Sequence, residues 1–223
     1  MSGQGVSPNQ FAASYLRNRY RIFFYTLLMT LLAIPILSAF KFSGILIESC
    51  LAASLLAAIM PVSGVRSRPY LLVAMVVVWL ARPITVWLEH PSLSTATLAI
   101  WIVIGLLATA AALRFAMRAS EVDAEHLYAA LSAYLMAGVF FGLLYWVLEQ
   151  VKPGTFTAPT RFSQTGAVYF SFVTLATLGY GDVVPRGDIA RGVAIVEGIG
   201  GQLFLAVLVA RLVSLYATKR ASK

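Results

Sequence analysis

Residues 177–182 read Thr177-Leu178-Gly179-Tyr180-Gly181-Asp182 and stand between a short apolar segment and a long one. Glycines often punctuate ordinary turns, but here two of them alternate with bulkier residues. Pointing successive carbonyl oxygens the same way requires alternating right- and left-handed dihedrals, which Gly179 and Gly181 adopt at little steric cost. Identical loops of this kind around one axis supply rings of carbonyl oxygens that replace the hydration shell of a cation.

The rest of the chain supplies a membrane setting for this loop. The chain has 223 residues, of which 60% are hydrophobic and 12% charged, and its mean hydropathy is +0.82. So much apolar surface cannot hide in one soluble core, and an integral membrane protein is expected. Apolar runs long enough to span a bilayer lie at 22–40, 44–60, 70–88, 93–113, 127–148 and about 189–216, which predicts six spans.

The net charge of +8 does not point to nucleic acid, because the basic residues sit at the ends of spans. Arg17, Arg19, Arg21, Arg66, Arg68, Arg114, Arg118, Lys219, Arg220 and Lys223 fall on one side; Lys41, Lys152, Arg161, Arg186 and Arg191 fall on the other. Ten against five predicts both termini in the cytoplasm, and six spans put the termini on one side. Tyr20, Tyr70, Tyr128 and Tyr216 are expected near the inner boundary, with Trp87 and Trp146 near the outer one, simple packing being the alternative for some of them.

The run at 177–182 resembles the selectivity filter of potassium channels, whose usual form is Thr-Val-Gly-Tyr-Gly. Leu178 replaces the usual Val, and Ala176 stands where Thr is common. The resemblance covers roughly the last hundred residues and implies a span, a re-entrant segment over 160–176, the filter and a final span. The expected fold is therefore an all-α membrane protein of six transmembrane helices, a re-entrant pore helix and a filter loop, with a tetrameric pore. Its expected parts are a cytoplasmic tail (1–21), a four-helix transmembrane domain (22–118), a pore domain (119–218) and a cytoplasmic tail (219–223).

Site residues follow from the same resemblance. K+ ions would be held by the backbone of Thr177, Leu178, Gly179 and Tyr180, and no other cofactor is expected. Asp182 is expected at the outer mouth. Tyr169, Phe170, Thr174 and Glu197 are expected to support the filter, with Glu197 either bonding Thr174 or a filter amide or standing in the membrane as a neutral acid. Pro159, Thr160 and Ser163 are start signals for the pore helix. Gly198, Gly200 and Gly201 cluster in the last span despite a cost of about 1 kcal/mol per helical glycine. Gly201, and with it Gly198, is expected to act as a gating hinge, close packing being the alternative.

The fourth span, 93–113, contains no basic residue. A charge moved through the field supplies about 2.3 kcal/mol per 100 mV, so steep voltage gating has no source there. Arg82 and Glu48 lie at similar depth and are expected to form a buried pair. Cys50 is the only cysteine, which excludes an internal disulfide. His90 and His126 lack metal-ligand spacing and no nucleotide-binding glycine loop occurs, so no enzyme is expected. The filter occurs once per chain, so four chains are needed for one pore. The expected function is a K+-selective, homotetrameric channel of the plasma membrane, with K+ ions and lipids as partners and no nucleic acid. The alternatives are a non-selective cation channel and a non-conducting membrane subunit of a partner channel.

Overall fold

A helix that is apolar on every face satisfies its backbone internally and offers side chains to a nonpolar surrounding on all sides. Three helices of the computed structural model, Ser92–Met117, Ala124–Val151 and Asp188–Ser214, are long and apolar enough to cross a membrane, and the chain is a helical membrane protein. The structure describes residues 18–38, 91–117 and 124–221, with scattered positions between 73 and 88. The expected second span, most of the third, the Arg82 and Glu48 pair, Cys50 and His90 lie outside the described residues.

In chain order the described elements are α1 (Arg19–Ser38), α2 (Pro91–Met117), α3 (Ala124–Val151), β1 (Phe156–Thr157), α4 (Gln164–Leu175), β2 (Val184–Pro185) and α5 (Asp188–Ala221). Helices α1, α2, α3 and α5 lie on the expected first, fourth, fifth and sixth spans. Most run past the bounds read from hydropathy, because helical hydrogen bonding continues into the polar flanks. With 34 residues, α5 is about 51 Å long and exceeds a hydrocarbon core of about 30 Å. The two-residue strands were not foreseen. They pair antiparallel, Phe156 with Pro185 and Thr157 with Val184, and close the segment around α4.

Helix α3 is the internal axis, packing against α1, α2, α4 and α5. Of its most apolar window 56% is buried, against 11% for α5. Small residues permit this. Ala129, Ala130 and Ala133 are buried; a Cβ on Gly142 would stand 2.6 Å from Val168 Cα, and one on Gly138 would stand 2.6 Å from the Phe172 ring. Glycine at both positions lets α4 lie directly on α3.

Above this contact Tyr145, Phe156, Phe162 and Phe170 form an aromatic core. Phe156 stacks on Phe162 with centroids 4.5 Å apart, and Phe170 meets Tyr145 edge-on at 5.0 Å. One belt residue is corrected: Tyr20 is buried. It stacks on Phe115 at 4.7 Å, and its backbone N–H donates to Glu125 at 3.0 Å, so it packs α1 on the bundle instead of facing headgroups.

Candidate functional site

Helix α4 begins where Ser163 accepts a hydrogen bond from the Gly166 N–H at 3.1 Å. That bond satisfies one of the free donors of the first turn. Pro159 and Thr160 precede the helix, so the segment expected from 160 is helical only from Gln164.

The other end of α4 sets the loop. Ala176 is the C-cap. Thr177 N–H donates to Thr174 O at 3.0 Å, and Leu178 N–H donates to Val173 O at 2.9 Å. These are the paired bonds of a Schellman motif, whose C′ residue is left-handed and usually glycine. Here that residue is Thr177, at φ 57°. Gly179 and Gly181 follow at φ 58° and 77°, so positive φ recurs at every second residue. The two glycines were foreseen; Thr177 was not. A Cβ on Gly179 or Gly181 would meet no atom within 4 Å. Dihedral freedom, not space, is therefore what glycine supplies at these positions. Residues 176–182 are exposed throughout.

Several side chains brace this turn. Tyr169 donates to Asp182 Oδ2 at 2.9 Å, and that bond, followed by burial, raises the phenol above its ordinary pKa of 10.0. Tyr134 of α3, which the sequence reading missed, donates to Leu175 O at 3.2 Å. Phe170 lies in the aromatic core. The side chain of Thr174 faces α5, where a Cβ on Gly198 would stand 3.9 Å from its Cγ2.

Glu197 is 1% exposed and stands behind α4. Its expected partner is corrected. Tyr145 OH donates to Oε2 at 2.6 Å, and Ser171 Oγ is hydrogen-bonded to Oε1. Thr174 lies three residues, about one helical turn, beyond Ser171. Ser171 Oγ also lies 2.6 Å from Gly138 O. One carboxyl thus joins α3, α4 and α5. Neither Tyr145 nor Ser171 carried a sequence signal beyond its burial in apolar runs.

The glycine cluster separates by role. A Cβ on Gly201 would stand 2.8 Å from Leu175 Cδ1 and 2.9 Å from Leu175 O, whereas one on Gly200 would meet nothing within 4 Å. Gly201 is closely packed against Leu175, and α5 is helical through all three glycines.

Outside the loop, Glu149 accepts from the N–H groups of Gly154 at 2.9 Å and Phe156 at 3.0 Å. Arg186 Nε donates to Thr157 Oγ1 at 2.6 Å. Farther along α5, Arg211 donates to Met117 O at the end of α2. Among the described residues no cluster of three His, Cys, Asp or Glu side chains is placed to hold a metal.

Residues 129–218 match a protein family described as an ion channel. Over 78 residues the chain is 37% identical to the inward rectifier potassium channel Kirbac3.1 of Paramagnetospirillum magnetotacticum, covering 33% of this chain and 24% of that protein. It is 31% identical over 100 residues to the protein LctB of Bacillus caldotenax, covering 42% of this chain and 74% of that protein. LctB of Geobacillus stearothermophilus is 37% identical over 81 residues, covering 33% of this chain and 59% of that protein. The chain therefore spans about a quarter of the inward rectifier's length and about three quarters of the Bacillus caldotenax protein's. No solved structure matches.

Proposed function

Since the chain belongs to the ion channel family, we propose that it is a K+-selective channel in which four copies surround one axis. Thr177, Leu178, Gly179 and Tyr180 line the filter with their backbone carbonyls. The observation that carries this reading is the recurrence of positive φ at Thr177, Gly179 and Gly181 directly beyond the end of α4. A backbone that alternates in handedness can aim successive carbonyls to one side. The C-terminus of α4 carries partial negative charge and favours a cation at the same place. A relative named as an inward rectifier potassium channel supports K+ as the ion.

The fourfold arrangement is supported by exposure. One chain leaves 176–182 uncovered, and Ile195, Ile199, Leu203 and Val207 form an exposed apolar stripe on α5 at the four-residue spacing of one helix face. Neighbouring copies would surround the loop and cover part of that stripe. In this reading α4 is the re-entrant pore helix, 119–218 is the pore domain, and six spans place both termini in the cytoplasm at the plasma membrane. Asp182, tethered by Tyr169, concentrates cations at the outer mouth. Bending of α5 near Gly198 and Gly201 opens the inner end, and voltage has little effect because the apolar stretch of α2 lacks basic residues.

The test is the reversal potential of purified protein in planar bilayers under opposed K+ and Na+ gradients. Reversal near the K+ equilibrium potential, lost in Tyr180→Ala, is expected. Currents that do not distinguish the two ions would replace this reading with a non-selective pore, and silence under all conditions would favour a non-conducting subunit.

A further inference from the structure

Ser171 has one hydroxyl proton and two close oxygen neighbours, Gly138 O at 2.6 Å and Glu197 Oε1. A carbonyl oxygen can only accept, and so can an ionised carboxylate. If Glu197 were ionised, one proton would have to serve two acceptors. A neutral Glu197 removes the conflict. Tyr145 OH donates to Oε2, the Glu197 acid proton on Oε1 is donated to Ser171 Oγ, and Ser171 OH is donated to Gly138 O. Each proton is then used once and each close contact is a hydrogen bond.

The surroundings favour the same form. Tyr145 and Ser171 are fully buried and Glu197 is nearly so, and burying an unpaired charge is costly. A cavity of about 220 Å³ adjoins Glu197, lined by Thr109 of α2, Tyr134 of α3, Leu175 of α4 and Phe204 of α5 among others. Among the described residues facing Glu197 from these helices, the titratable ones are Tyr145 and Tyr134, and no basic side chain lines the cavity. Neither tyrosine supplies a positive charge to hold an anion.

We propose that Glu197 is held as a neutral carboxylic acid and is a pH-operated clasp between α5 and α4. Deprotonation removes the donor to Ser171, draws the Ser171 proton away from Gly138 O and leaves a buried anion behind the loop-bearing helix. The clasp rests on the channel reading only for its effect on conduction. Its protonation stands on the hydrogen-bond geometry and on burial.

The test uses two readouts on the full chain in lipid vesicles. Infrared spectroscopy across a pH titration reads the C=O stretch of a protonated carboxyl. The expected result is a band present at neutral pH, removed at alkaline pH, absent in Glu197→Gln and displaced in Glu197→Asp. K+ flux from the same vesicles is expected to change over the pH range in which the band vanishes, and to lose that change in Glu197→Gln, whose amide keeps a donor for Ser171. A wild-type spectrum without the band at neutral pH, or a band unaltered by both variants, would overturn the proposal. Identical flux profiles for wild type and Glu197→Gln would overturn the clasp. If no preparation carries flux, the conduction reading fails, and the infrared titration still decides the protonation.

Discussion

Tyr134 and Leu175 tie the middle of α3 to the last turn of α4: the phenol donates to the Leu175 carbonyl oxygen at 3.2 Å. Gly201 also approaches that carbonyl, since a Cβ on it would stand 2.9 Å away. The turn that launches residues 177–182 is thus held between a tyrosine on one helix and a glycine on another.

Gly201→Ala is therefore expected to destabilise the protein by about 1 to 3 kcal/mol, the usual range for overpacking a tight contact. Gly200→Ala is the control, because its methyl enters open space and helix propensity favours alanine by roughly 1 kcal/mol. Thermal unfolding in detergent should rank Gly200→Ala at or above wild type and Gly201→Ala below it. Single-channel open probability should fall in Gly201→Ala alone; an unchanged value there would remove the proposed hinge.

Thr177 holds a left-handed backbone that costs an L-residue roughly 1 to 2 kcal/mol. Thr177→Gly is expected to relieve that cost and melt no lower than wild type, while the added backbone freedom of glycine loosens the carbonyl ring and lowers K+ over Na+ discrimination. Reversal potentials and melting temperatures measured on one preparation test the pair of outcomes. A variant that melts clearly lower would show that the side chain contributes more than the backbone costs.

The Tyr169 bond to Asp182 should survive moderate alkalinity. Its phenol is raised above 10.0, first by the hydrogen bond to Asp182, so the folded form holds its proton more tightly than the unfolded one. The stabilisation is fully present below the unfolded pKa of about 10 and is lost as pH rises through the higher folded value. Tyr169→Phe should abolish that alkaline component and leave the neutral-pH fold intact. A pH series of melting temperatures for the two proteins reads the difference.

Ser163→Ala removes the side-chain acceptor for the Gly166 N–H and should lower stability by about 1 kcal/mol, whereas Ser163→Asp should preserve the cap. Chemical unfolding that treats the two alike would mean that another group satisfies the Gly166 amide.

The three helices long enough to cross a membrane were legible because long apolar runs announce themselves one residue at a time, and Gly179 and Gly181 were legible because few other residues accept positive φ. Thr177 was not: its handedness is imposed by the bonds that Thr177 and Leu178 return to α4, and threonine by itself argues against it. Glu197 was conspicuous as a carboxylate inside an apolar run. Its partners lie 26 residues away at Ser171 and 52 away at Tyr145, so helix packing had to choose them. Tyr20 misled for a related reason, since the same amphipathic ring suits a headgroup boundary and a buried stack.

The contact between Arg211 and Met117 O links the far part of α5 to the end of α2, well apart from the loop at 177–182. A cation at that end of a helix meets carbonyls that have no partner within the helix. Any displacement of α5 there must either carry α2 with it or give up the bond. Helix α2 is thereby a mechanical load on α5, and changes made to α2 alone, or to the lipid around it, should register in how readily α5 moves.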